Sequence, residues 1–169
     1  LPWLSWLDLD DIYADENRLT FHLTSRQSAA CPLCDRTSDA VHSQYQRRLA
    51  DLPCAGMAVG LRLRVRKLFC RNCDCPQSIF CERLPQLAVP YARRTARLHH
   101  EQRQVGMELG GEAGMRTTRR QAMPVSADTL LRFVRQVPLV ERPTPRVLGV
   151  VDLLSDRSAD TLARWLEAH

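Results

Sequence analysis

Val59–Cys70 reads "VGLRLRVRKLFC", and Arg71–Arg83 continues "RNCDCPQSIFCER". In the first segment Leu61, Leu63 and Val65 alternate with Arg62, Arg64 and Arg66. A period of two predicts a β-strand with one apolar face and one arginine face. Three arginines cannot line a core, so that face meets either water or an anionic partner such as phosphate. Directly behind the strand, Cys70, Cys73, Cys75 and Cys81 fall within twelve residues and account for four of the chain's seven cysteines.

A tetrahedral zinc site takes four soft or borderline ligands, usually presented by two tight knuckles. Cys31-Pro32-Leu33-Cys34 is one C-x2-C knuckle. The second can be C-x2-C, through Cys70 and Cys73, or C-x4-C, through Cys70 and Cys75, and spacing alone does not choose between them. The 35 residues between Cys34 and Cys70 are enough for a pair of strands, as in a zinc ribbon with an insertion. Buried free thiols and a redox pair are the competing readings. Redox chemistry is disfavoured because no thioredoxin-like βαβ pattern surrounds either pair. An odd number of cysteines and an acidic start, "LPWLSWLDLDD", with no basic n-region argue for a reduced compartment over a disulfide framework. His42 is expected on the surface instead of on the metal, and Cys54 and Cys81 are expected as packed thiols.

Upstream of the first knuckle, Ile12–Tyr13, the turn residues Asp15–Asn17 and the alternating "LTFHLT" at Leu19–Thr24 predict a hairpin. Pro53 and Gly56 predict a turn at the end of Ala40–Gly56. Downstream, Pro90–Gly110 has helical composition, ended by Gly110-Gly111. Glu112–Met123 is a second short helix, Pro124–Ser126 a turn and Ala127–Val137 a third helix. Ser126 is its expected N-cap, with Asp128 in the first turn. Leu130, Leu131, Phe133 and Val134 form its expected inner stripe, with Arg132 and Arg135 outside.

Helix, short turn and helix over Glu112–Val137 have the layout of a DNA-reading motif. From Tyr91 to Val137 nine arginines face four acids, a local charge of +5 that equals the net charge of the whole chain. All but one of the 24 basic residues are arginine, the exception being Lys67; the planar guanidinium suits phosphate and guanine, although GC-rich coding produces the same bias. A solvated helical bundle is the plainer alternative. Pro138–Arg146 reads as a proline-rich linker, Val147–Leu154 as a strand and Ser158–His169 as a helix. No internal repeat stands out, and no apolar run is long enough to span a bilayer.

"CPLC", "VHSQYQRRLADLPCAG", "LRVRKLFCRNCDCPQSIFCERLP", "YARRTARL", "GGEAGMR" and "PVSADTLLRFVR" together resemble the N-terminal half of ISL-three-type insertion-sequence transposases, in order, over roughly Ile12–Val150. The resemblance implies a zinc-binding domain, a helix-turn-helix and a catalytic domain of RNase H-like fold with a carboxylate triad. It implies a C-x4-C second knuckle, hence Cys31, Cys34, Cys70 and Cys75 as zinc ligands with Cys73 the rival to Cys75. It also implies double-stranded DNA, at the element's terminal inverted repeats, as the partner, and a bacterial, cytoplasmic, DNA-associated location. The departure is at Val147–Ser158, where a strand like that of the first catalytic aspartate runs straight into a string like a later part of the family's catalytic domain. The expectation there is an internal deletion followed by truncation at His169, with Asp152 the one candidate for a catalytic acid. Mg²⁺ belongs to the reading only if the chain is active, since two-metal phosphoryl transfer needs several converging carboxylates.

The fold class expected is therefore α+β: a zinc-ribbon-like β lobe over residues 1–88, a helix-turn-helix domain over 89–138, and a linker with a βα remnant over 139–169. The expected DNA contacts are Arg62, Arg64 and Arg66 on the strand, Arg116, Arg119 and Arg120 on the first helix of the motif, and Arg132 and Arg135 on the recognition helix. The expected function is DNA binding without strand transfer, as a homodimer or in mixed oligomers with a full-length transposase. The alternatives are an active or partner-complemented enzyme and a zinc-dependent protein-interaction module.

Overall fold

The computed structural model describes residues 6–25, 27–138 and 159–168. It is mixed α+β. The strands are β1 (Leu7–Ala14), β2 (Arg18–Ser25), β3 (Ala29–Ala30), β4 (Thr37–Ser38), β5 (Val41–Cys54), β6 (Met57–Phe69) and β7 (Ile79–Cys81). The helices are α1 (Ala96–Arg120), α2 (Ala127–Arg135) and α3 (Ala159–Ala168). The chain divides into two compact units, Leu1–Val137 and Pro138–His169. The second contains α3; the expected strand at Val147–Leu154 and Asp152 lie outside the described residues.

Both hairpins form where turn chemistry asks for them. Between β1 and β2, the Asp15 amide donates to the Arg18 carbonyl at 2.9 Å and the Asp15 side chain accepts from the Asn17 amide at 3.0 Å. Between β5 and β6, Ala55 and Gly56 both take the left-handed conformation (φ 50° and 77°), as a two-residue loop matched to strand twist requires. The main sheet runs β1-β2-β6-β5, with β2 and β6 parallel and the other neighbours antiparallel. β7 pairs with the end of β6 through Lys67, Leu68 and Phe69.

The alternation in β6 sets which face is dry. Leu61, Leu63 and Val65 are buried, with Leu23, Leu49 and Val59 from the sheet beside them and Leu84, Leu87 and Ala88 laid across them. Each such aliphatic side chain stabilises the fold by roughly 1.5–3 kcal/mol relative to exposure. β5 is a strand where the sequence suggested only the turn that ends it. Its pattern, with Gln44, Tyr45, Gln46 and Arg48 all exposed, has too few apolar residues to announce a strand, and its pairing with β6 supplies what the pattern lacks.

The helix expected from Pro90 begins only at Ala96. Residues 93–95 instead extend beside β5: the Ala50 amide donates to the Arg93 carbonyl and the Thr95 amide to the Ala50 carbonyl, both at 2.9 Å. Thr95 then caps α1, its hydroxyl accepting from the Leu98 amide at 3.2 Å and donating to buried Asp51 at 2.7 Å. The Arg97 guanidinium closes on the same carboxylate, Nε to Oδ1 at 2.7 Å. This buried polar knot ties sheet to helices.

α1 breaks at Gly110, whose φ of 71° and ψ of −162° are non-helical. The two glycines expected to end a helix thus bend the path and let a second helical run continue to Arg120. α2 packs into the bend. Fully buried Leu130 lies against Gly106 and Gly114, positions where the absent side chain lets the helices approach. Ser126 caps α2 by accepting from the Thr129 amide at 3.3 Å. Leu131, expected in the inner stripe, is instead 37% exposed, because it sits at the rim of the contact, over Gly111.

Candidate metal centre and the basic surface

The tips of two small hairpins meet beyond the end of β6. β3 and β4 pair through Ala29–Ser38 and Ala30–Thr37 and present the first knuckle, where the Asp35 amide donates to the Cys31 carbonyl and the Cys31 amide to the Arg36 carbonyl, both at 2.9 Å. β6 and β7 present the second. The Cys70 amide donates to the Ser78 carbonyl at 2.9 Å, and the Cys75 amide turns back to the Asn72 carbonyl at 3.1 Å. Beneath them Ala29, Leu68 and Phe80 form a small apolar floor with Cys31.

Cys31, Cys34, Cys70 and Cys75 bring their sulfurs within 4.8 Å of one another. Cys31 and Cys75 are 3.9 Å apart and Cys34 and Cys70 3.6 Å. A tetrahedron of thiolates about 2.3 Å from a zinc ion has sulfurs about 3.8 Å apart. The donor set fits a structural zinc ion closed to solvent chemistry. Cys73 is exposed and stands outside the group. His42 is also exposed and outside it, with its Nδ1 2.9 Å from the Ser43 hydroxyl. Cys54 and Cys81, expected as packed thiols, are both exposed. Cys54 closes the β5–β6 hairpin and Cys81 ends the short β7, so neither reaches a core. Among the described residues the four-cysteine cluster is the one group of three or more His, Cys, Asp or Glu side chains placed to hold a metal.

The thiols titrate apart. The Arg36 backbone amide, with lesser help from the Asn72 side chain and the neighbouring thiols, brings Cys34 down to about 7 against the opposing effect of burial. At Cys70 the Asn72 backbone amide lowers the pKa, but burial and the thiols of Cys34, Cys31 and Cys75 outweigh it and push the group up to about 12. At Cys75 hydrogen bonds from the Gln77 backbone amide and Cys70 lower the pKa, but burial and the thiols of Cys34 and Cys31 outweigh them and raise it. Crowded sulfurs share protons because they cannot all be anionic in one small volume; a dication removes that conflict.

The arginines divide by environment. On the outer face of the sheet Arg64 is exposed and Arg62 half-buried. Arg48 of β5 lies directly opposite Arg62, and Gln46 opposite Arg64. Arg66 is engaged within the fold. Its guanidinium holds buried Glu82, Nη2 to Oε1 at 2.7 Å and Nε to Oε2 at 3.1 Å, and also reaches the Gln27 carbonyl. On the helices Arg116, Arg119, Arg120, Arg132 and Arg135 are all exposed. Arg48 was absent from the expected set, since its strand carries no clear alternation; its place opposite Arg62 becomes visible only in the paired sheet.

No helix among the described residues is long and apolar enough to cross a membrane. No curated protein and no solved structure matches the chain. Residues 27–73 match the family model described as the zinc-finger of transposase IS204/IS1001/IS1096/IS1165; the matched span holds Cys31, Cys34, Cys54, Cys70 and Cys73 and ends two residues before Cys75, and with the sulfur geometry it supports a structural zinc ion in a transposase-type zinc ribbon.

Proposed function

We propose that this chain is a zinc-stabilised DNA-binding unit of a transposase, which engages the terminal inverted repeats of its element. Cys31, Cys34, Cys70 and Cys75 hold the zinc, and the ion fixes the two knuckles at the end of the sheet. The observation that carries the reading is the cross-strand pair Arg48–Arg62, with Arg64 beside it. Like charges directly opposite on a sheet destabilise it, and a polyanion laid over them reverses the sign of that term. The transposase-type zinc ribbon over residues 27–73 supports the same conclusion.

Glu112–Val137 is read as the helix-turn-helix. α2 is its recognition helix, with Arg132 and Arg135 at the bases, and Arg116, Arg119 and Arg120 hold phosphates alongside Arg62 and Arg64. Arg66 is left to its Glu82 partner. Selection of bound duplexes from a random pool, with and without a chelator, tests the proposal. Enrichment of one motif only in the presence of zinc is the expected result. Affinity that fails to fall as salt rises, where each phosphate contact contributes a log–log slope of about −0.9, overturns it.

A further inference from the structure

Val89-Pro90-Tyr91-Ala92 forms a tight turn between the sheet and α1, closed by the Ala92 amide donating to the Val89 carbonyl at 3.2 Å. Proline at the second position and a left-handed third position describe a turn whose third residue is ordinarily glycine, because a Cβ is strained there. The third residue here is Tyr91, with φ 62°. The residue is 99% exposed, so no burial offsets the strain. A bulky aromatic held where glycine would be easier, and touching no core, points to a role outside the fold.

The turn is also held still. Arg47 of β5 donates through Nη2 to the Val89 carbonyl at 2.7 Å and to the Ala92 carbonyl at 3.0 Å. On one side Leu87 and Ala88 are buried in the sheet core; on the other, Arg93 and Thr95 bond to Ala50 of β5. The tip therefore projects Tyr91 and the 65%-exposed Val89 from a braced base, with exposed Arg93 next along.

We infer that Tyr91 is a stacking wedge: the braced turn at Val89–Ala92 presents its ring to an unstacked base of duplex DNA, while neighbouring Arg93 holds the backbone. The inference deepens the DNA-binding reading and rests on it. An aromatic face accepts any base, so the contact adds affinity without reading sequence. The cost of opening a base step falls on the DNA and is smallest where a base is already unpaired.

Two mixed-sequence 30-base-pair duplexes serve as probes, one intact and one with a single unpaired base, and binding is measured by fluorescence anisotropy with the full zinc-loaded chain. The wild type is expected to prefer the bulged duplex. Tyr91→Gly should weaken binding to the bulged duplex by on the order of five- to a hundredfold and abolish the preference, while Tyr91→Phe, which keeps the ring, retains both. Because glycine relieves the turn, Tyr91→Gly should melt at the same temperature as the wild type or higher. Its salt slope should be unchanged, whereas Arg62→Ala and Arg64→Ala each flatten the slope. Equal binding of both probes by the wild type, undiminished binding by Tyr91→Gly, or a loss in Tyr91→Gly that tracks a lower melting temperature would each overturn the wedge while leaving DNA binding intact. Failure of the wild type to bind either duplex at low salt, where phosphate contacts alone give binding whatever the sequence, would remove the DNA-binding reading itself, and the wedge with it.

Discussion

Cys75 and Cys73 stand two residues apart with the same side chain, and their different fates illustrate what one turn does. The Cys75 amide folds back to Asn72, which aims the Cys75 sulfur at Cys31, 3.9 Å away, and leaves Cys73 exposed. Cys75→Ser should therefore lose bound zinc when measured by elemental analysis, and Cys73→Ser should keep one equivalent; the reverse pattern would sink the assignment. His99 offers a second test at this scale. Its pKa is held below the ordinary 6.5, first by burial and then by Arg94, Arg103 and His100, and its ring packs edge-on against Phe133 at 4.3 Å. In the unfolded chain the imidazole takes its proton near pH 6.5, before the folded chain does. The unfolded state then binds more protons, so stability is full above that pH and falls as the pH drops below it. Melting temperatures of wild type and His99→Gln between pH 7.5 and about 5 should converge as the pH falls; parallel curves would show that His99 contributes nothing to the acid limb.

At the scale of elements, α1 and α2 depend on what three glycines omit. A Cβ at Gly114 would meet Leu130 Cδ1 at 2.9 Å, and one at Gly106 would meet Val134 Cγ2 at 3.2 Å. Gly114→Ala should destabilise the chain by about 1–3 kcal/mol through overpacking. Gly110 differs: a Cβ there meets nothing within 4 Å, but its backbone lies in a region that only glycine occupies readily. Gly110→Ala should cost about 1–3 kcal/mol from backbone strain alone, measured by urea unfolding. An unchanged midpoint would mean that the bend is not required. The starts of α2 and α3 were open to sequence reasoning, that of α1 was not, and one regularity was missed. Ser126–Leu130 and Ser158–Leu162 spell the same "SADTL", and both precede or open helices, α2 and α3. Five residues that place a serine cap before a first-turn acid are a local helix-start signal, and local signals survive without tertiary help. β5 had no such signal, because a strand with exposed Gln44, Gln46 and Arg48 becomes a strand only when β6 satisfies its backbone.

Across the whole Leu1–Val137 unit, two devices hold sheet, knuckles and helices in place. One is the metal cluster at one end of β6. Structural zinc sites contribute on the order of 10–16 kcal/mol of apparent binding energy, and the knuckle floor of Ala29, Leu68 and Phe80 is too small a core to replace that. Chelation should abolish hydrogen-exchange protection at β3, β4 and β7 before it affects β2 and β6; unaltered protection at the knuckles would argue against a metal. The other is the knot of Asp51, Thr95 and Arg97. The Asp51 side chain is 1% exposed, so Asp51→Ala removes the acceptor that the buried Thr95 hydroxyl donates to and should cost about 1–3 kcal/mol, read as a lower melting temperature with the zinc content unchanged.

Local chemistry alone carried the period-two strand with its dry leucines and wet arginines, the two hairpin turns, the caps of α2 and the first knuckle, since each depends on residues adjacent in sequence and on rules of backbone geometry and burial. Arg66 and Arg62 are indistinguishable in that alternation. Only folding brings Glu82, sixteen residues on, against one of them and Arg48 against the other. The same holds for the sulfur of Cys75 over that of Cys73, for the seam between sheet and helices, and for Tyr91 lifted clear of every core. The reason is common to all four: which partner a side chain meets is fixed by long-range pairing, and chain-local periodicity contains no information about what lies across the gap.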